Sequence, residues 1–126
     1  MVNARELSSV ALAYIGDAVY ELHIRNHLIQ QGGVKPHELH NQAVQYVSAP
    51  AQAALIKEWL ADEVLTKDEA AVVRRGRNAK THSVPKNISV EAYKYATAFE
   101  ALIGYHYLNH NSERLEELLQ LSIRKT

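Results

Sequence analysis

Two carboxylates stand where the residues around them call for packing. Asp17 lies in the run Leu12-Ala13-Tyr14-Ile15-Gly16-Asp17-Ala18-Val19-Tyr20, and Glu100 in Ala96-Thr97-Ala98-Phe99-Glu100-Ala101-Leu102-Ile103-Gly104. Taking an ionised carboxylate out of water is costly unless a partner compensates it. On a helix, the neighbours of Asp17 three and four positions away are Ala13, Tyr14, Tyr20 and Glu21, and those of Glu100 are Ala96, Thr97, Ile103 and Gly104. Several are small, which permits close helix approach and leaves room beside each acid for a hydrated, oxygen-seeking cation such as magnesium. The alternative, that each acid marks the wet edge of an amphipathic helix, accounts for either acid alone better than for the pair.

Fourteen basic residues balance fourteen acidic ones, but their placement is uneven. Between Ala70 and Val90 there is no acid, whereas Arg74, Arg75, Arg77, Lys80 and Lys86 all fall there. With Asn78 and Thr81 beside them, these side chains suit phosphates and 2′-hydroxyls, the groups by which duplex RNA is read because its base edges lie deep in a narrow groove. The arginines alone also fit a helix end, where cations meet the negative pole of the dipole. The acid-free continuation to Lys86 favours RNA. Among seven histidines, His23 with His27 and His106 with His110 have the spacing that lets two imidazoles face one zinc ion. No His-Glu-x-x-His motif accompanies them, and packing or surface roles are the better reading. The tyrosines Tyr14, Tyr20, Tyr93, Tyr95, Tyr105 and Tyr107 read as core or interface groups.

The elements that must position these groups are all helical. Leu7, Val10, Tyr14, Ala18 and Leu22 recur at helical spacing and Gly32-Gly33 supplies a stop, which predicts a helix from Ser9 to Gln30. Pro36 opens a shorter helix, and Ser48 caps a third with Pro50 in its first turn and Leu55, Ile56 and Trp59 within it. Thr66-Lys67-Asp68-Glu69 has the capping-box pattern, predicting a helix over Lys67 to Arg75. Gly76 to Ser89 lacks apolar periodicity. Ser89 caps a long, strongly apolar helix to Leu108, and Asn111-Ser112 reopens the chain into a last one. The reading is all-α with about six helices in one domain over residues 1–126, since no alternating strand pattern, repeat or linker occurs.

Ile15-Gly16-Asp17-Ala18-Val19 and Phe99-Glu100-Ala101-Leu102-Ile103-Gly104 resemble the two signature helices of ribonuclease III. Together with Arg75-Gly76-Arg77-Asn78-Ala79-Lys80 and the short length, they are similar to the Mini-III branch, a catalytic domain without the usual double-stranded RNA-binding domain. The resemblance runs from Leu12 to about Leu108. It implies a homodimeric helical domain that hydrolyses phosphodiesters of double-stranded RNA, leaving a 5′-phosphate and a 3′-hydroxyl. It further implies that Asp17 and Glu100 are the catalytic residues and ligands of Mg²⁺.

Larger ribonuclease III enzymes carry a Glu four residues before the Asp and an Asp three before the Glu. Here those places hold Ala13 and Thr97, as in the Mini-III branch. Thr97 and Glu21, one turn after Asp17, are then candidate outer-shell groups, although local packing for the Thr and a solvated helix face for the Glu are the better readings. The resemblance points to maturation of the large-subunit ribosomal RNA precursor, with a large-subunit ribosomal protein as a possible partner. The alternative is a helical dimer that holds duplex RNA without cutting it. The absence of cysteine, of a signal-peptide pattern and of a long apolar run leads to the expectation of a cytoplasmic protein with no membrane partner.

Overall fold

The computed structural model describes residues 3–80 and 83–123. Six α-helices follow a short 3₁₀ turn at Ala4–Glu6: α1 Ser9–Gln30, α2 Pro36–Val47, α3 Ala49–Ala61, α4 Lys67–Arg77, α5 Val90–Leu108 and α6 Ser112–Ile123. No strand occurs among the described residues. Their starts are set by side chains that satisfy amides the helix itself leaves unpaired. Ser8 accepts from the Ala11 amide at 3.1 Å, Ser48 from Ala51 at 3.4 Å and Ser89 from Ala92 at 3.0 Å. At α4 the capping box is complete, with Glu69 N to Thr66 Oγ1 at 3.2 Å and Thr66 N to Glu69 Oε1 at 2.8 Å.

Helix α5 is the axis of the molecule, with α1, α3, α4 and α6 packed around it. Its apolar character on nearly every side is what this position demands. Phe99 is fully buried and meets the Tyr20 ring edge-on at 4.8 Å and the Trp59 ring at 5.7 Å. Ile24, Ile56, Leu102, Ile103 and Leu118 complete this core. The anchoring of Phe99 fixes the rotation of α5, and so the direction in which the next residue, Glu100, points.

Two departures from expectation have physical reasons. The row Val10, Tyr14, Ala18 and Leu22 marks a helix correctly but faces outward, whereas Leu12, Ala13, Gly16, Tyr20, Ile24 and Leu28 are the buried face of α1. Both faces are apolar, and small residues decide which one meets α5. Helix α4 runs to Arg77 rather than Arg75, because Gly76 inside its last turn lies against α5, where an added Cβ would sit 2.8 Å from the Ala98 Cα.

Candidate active site

The crossing of α1 and α5 is closer than side chains would allow. A Cβ on Gly16 would stand 1.8 Å from the Glu100 carbonyl oxygen, and one on Gly104 2.0 Å from the Leu12 carbonyl oxygen. Glycine at both places lets the two backbones touch, which carries Asp17, next to Gly16, and Glu100, one turn before Gly104, to the same spot. Their carboxyls are close neighbours that act on each other directly. Burial, first, and then the neighbouring Asp17 push the Glu100 carboxyl up to about 9. Glu100 therefore holds a proton at neutral pH beside the more exposed Asp17.

The pair opens into a cleft of about 790 Å³. Ala13, Tyr14, Ala96, Thr97 and Gln52 line it on the helix side, and Ala79, Lys80, Ser83 and Ile88 on the side of the α4–α5 connection. Close carboxyls, one of which keeps its proton, are a site a divalent cation would relieve, and magnesium characteristically takes one or two carboxylates, keeping water on its remaining positions. The donor set fits. Among the described residues no group of three or more His, Asp or Glu side chains converges, so a cation here would rest on Asp17 and Glu100.

The remaining sequence expectations separate. Thr97 is in the cleft, but its hydroxyl donates to the Tyr93 carbonyl at 3.0 Å, as a packing role requires. Glu21 lies outside it, pairs with Arg25 at 3.3 Å and reaches Glu100 only through its charge. Of the basic residues, Lys80 is exposed on the cleft itself. Arg77 and Asn78 border a separate groove with Glu91, Lys94 and Tyr95, and the Arg77 guanidinium lies 5.9 Å from the Tyr95 ring centre. Arg74, Arg75 and Lys86 are exposed, the two arginines on the last turn of α4, while Thr81 lies outside the described residues.

The histidine pairs do not form metal sites. His106 is buried, with Nε2 at 2.6 Å from Glu69 Oε2 and Nδ1 at 3.0 Å from Asn111 Nδ2, and His110 lies beyond the end of α5 with φ of 57°. His23 is half-buried near Glu116, and His27 stands edge-on to Tyr46 at 6.2 Å.

A family model described as Ribonuclease III domain matches residues 10–111, a span that contains both halves of the crossing. The chain belongs to the ribonuclease III family. It is similar to Mini-ribonuclease 3 of Enterococcus faecalis, at 49% identity over 99% of this chain and 95% of that one. Mini-ribonuclease 3 of Streptococcus pneumoniae is 46% identical, covering 99% and 98% respectively. A crystal structure of a Fusobacterium nucleatum protein superposes with a TM-score of 0.84 at 31% identity, over 98% of both chains. These likenesses place it in the Mini-III branch and make it an endoribonuclease.

Two features of this ribonuclease III domain escaped the sequence reading. Gln52 is buried in the cleft wall, although nothing in the spacing of α3 singles it out. Glu69 is more than a capping acid: Arg114 holds it from α6 through Nε and Nη2, both at 2.8 Å, while His106 meets it from α5. Burial alone would raise its carboxyl, but the bonds from Arg114, the Thr66 amide and His106 outweigh that and hold it at about 2. An acid inside a capping box with an Arg far along the chain carries no local signal of such a network.

Proposed function

We propose that this endoribonuclease cuts double-stranded RNA as a symmetric dimer, with Mg²⁺ held by Asp17 and Glu100. The observation that carries the reading is the close carboxyl pair at the Gly16–Gly104 crossing, open to a cleft with Lys80 on its wall. Once bound, a divalent cation supplies Lewis-acid charge at the phosphate oxygens and a water of lowered pKa. Asp17, being exposed, meets the RNA side of the cleft, and Glu100 holds the recessed side. Glu100 must give up its proton before both can act as ligands. Lys80 then places a positive charge where the RNA backbone enters, and Arg74, Arg75, Arg77, Asn78 and Lys86 extend the contact along the duplex.

The dimer is supported by the outward face of α1. Val10 is 58% exposed, Tyr14 83%, Leu22 71% and Ile29 57%, a row of large apolar groups with no partner in a single chain. Val10, Tyr14 and Ala18 also line the cleft, so a second copy on this face brings two clefts together, one for each strand of a duplex. The likeness to the Mini-III branch supports maturation of the large-subunit ribosomal RNA precursor in the cytoplasm, with a large-subunit ribosomal protein as partner. No helix among the described residues is long and apolar enough to cross a membrane. Incubating the purified protein with a large-subunit precursor duplex and with its two separated strands, with Mg²⁺ and with chelator, tests the reading. Cutting of the duplex alone, and only with Mg²⁺, is expected; cutting in chelator or of the single strands would refute it.

A further inference from the structure

Gln52 sits in the first turns of α3, which packs against α5, and only 1% of its surface is exposed. It lines the same cleft as Asp17 and Glu100, yet its Nε2 makes no hydrogen bond. Leaving a buried amide N–H without an acceptor is costly, so an unpaired one in a working cleft points to a partner that arrives with function. We propose that Gln52 is a positioning residue of this site: its Nε2 donates to the Glu100 carboxylate when Glu100 ligates the cation, and holds that carboxylate in its ligating orientation.

The surroundings of Glu100 leave the role to Gln52. Asp17 is a neighbouring carboxylate whose charge repels that of Glu100. Thr97 has spent its hydroxyl hydrogen on the Tyr93 carbonyl. Glu21 contributes negative charge. Gln52 alone among these acts on Glu100 in favour of the ionised carboxylate, and its amide lies close enough to do so before any strict hydrogen bond has formed. A metal-ligating carboxylate commonly needs such a donor on its second oxygen, and losing one weakens metal binding by about 10–100-fold.

The proposal rests on the metal reading above, and Mn²⁺ as probe separates the two. Its binding to the RNA-free protein is measured by calorimetry for the wild type, Glu100→Gln and Gln52→Met, the last nearly isosteric and without a donor. We expect Gln52→Met to bind Mn²⁺ about 10–100-fold more weakly, to melt no lower than the wild type without metal, and to bind duplex RNA unchanged in chelator. Raised Mg²⁺ should return its cleavage rate towards that of the wild type, which repair of mere packing would not do. Gln52→Leu serves the same comparison if Met is not accommodated. Equal Mn²⁺ affinity in wild type and Gln52→Met overturns this proposal alone, as does a loss of RNA affinity in place of metal affinity. A wild type that binds no Mn²⁺, or binds it no better than Glu100→Gln, overturns both.

Discussion

Gly16 touches the backbone of Glu100: a Cβ at residue 16 would lie 1.8 Å from the Glu100 carbonyl oxygen and 2.8 Å from the Gly104 amide nitrogen. Backbone cannot step aside as a side-chain tip can, so Gly16→Ala has to push α1 away from α5. We expect a loss of about 1–3 kcal/mol in urea unfolding, and a fall in cleavage larger than unfolding explains, because Asp17 moves with the helix. A variant with wild-type stability and rate would show that the contact is not structural.

The proton on Glu100 makes the metal-free protein sensitive to alkali. In the folded state Glu100 keeps its proton up to about pH 9, while the unfolded chain releases it near pH 4.3. The folded state thus binds more protons between those values, and stability falls as pH rises from about 5 to 9. Glu100→Gln mimics the protonated form at every pH. In chelator it should exceed the wild type by on the order of 5 kcal/mol at pH 8, and the two should converge near pH 4.5. Parallel stability curves across that range would show that Glu100 is not buried against Asp17.

Glu69 behaves in the opposite sense. Its folded carboxyl titrates at about 2, well below the unfolded value, so its contribution is present above about pH 4.5 and is lost as pH falls towards 2. Glu69→Ala takes its buried carboxylate from His106, leaves Arg114 with Glu117 and the Val64 carbonyl alone, and opens the capping box of α4. A cost of about 3–5 kcal/mol is expected, with a shallower acid limb in the unfolding profile. Loss below about 1 kcal/mol would reduce the network to an ordinary exposed pair.

Much of this arrangement was legible in the residues themselves. Apolar spacing with Gly32-Gly33 placed α1 at the bounds it has, and Ser48, Thr66 and Ser89 marked helix starts because capping is local chemistry. Asp17 and Glu100 stood out as acids among packed residues, and the small neighbours around them signalled a close approach. What spacing could not decide was which apolar face of α1 meets α5, since the choice rests on Gly16 fitting against Gly104 across eighty-odd residues of sequence. Gln52 and the Glu69–Arg114 contact were hidden for the same reason: their partners are distant in the chain, and each residue alone is unremarkable in a helix.

The outward face of α1 gives a prediction for assembly. Leu22→Glu puts a charge in the apolar row without touching the cleft lining or the core. By sedimentation at micromolar concentration the wild type should be a dimer and Leu22→Glu a folded monomer with little duplex cleavage. A monomeric wild type with full activity would contradict the two-site account.

The most direct measurement is cleavage of a duplex RNA by Asp17→Asn and Glu100→Gln beside the wild type in Mg²⁺, with duplex affinity and melting temperature followed in the same preparations. Each amide keeps the size of the acid and removes the charge that would hold a cation. The account predicts that both variants fold and bind the duplex about as well as the wild type, while cutting at least about 100-fold more slowly, a loss of ~2.7 kcal/mol in barrier lowering. Turnover within about 3-fold of the wild type by either variant would contradict it and move the active site away from the α1–α5 crossing.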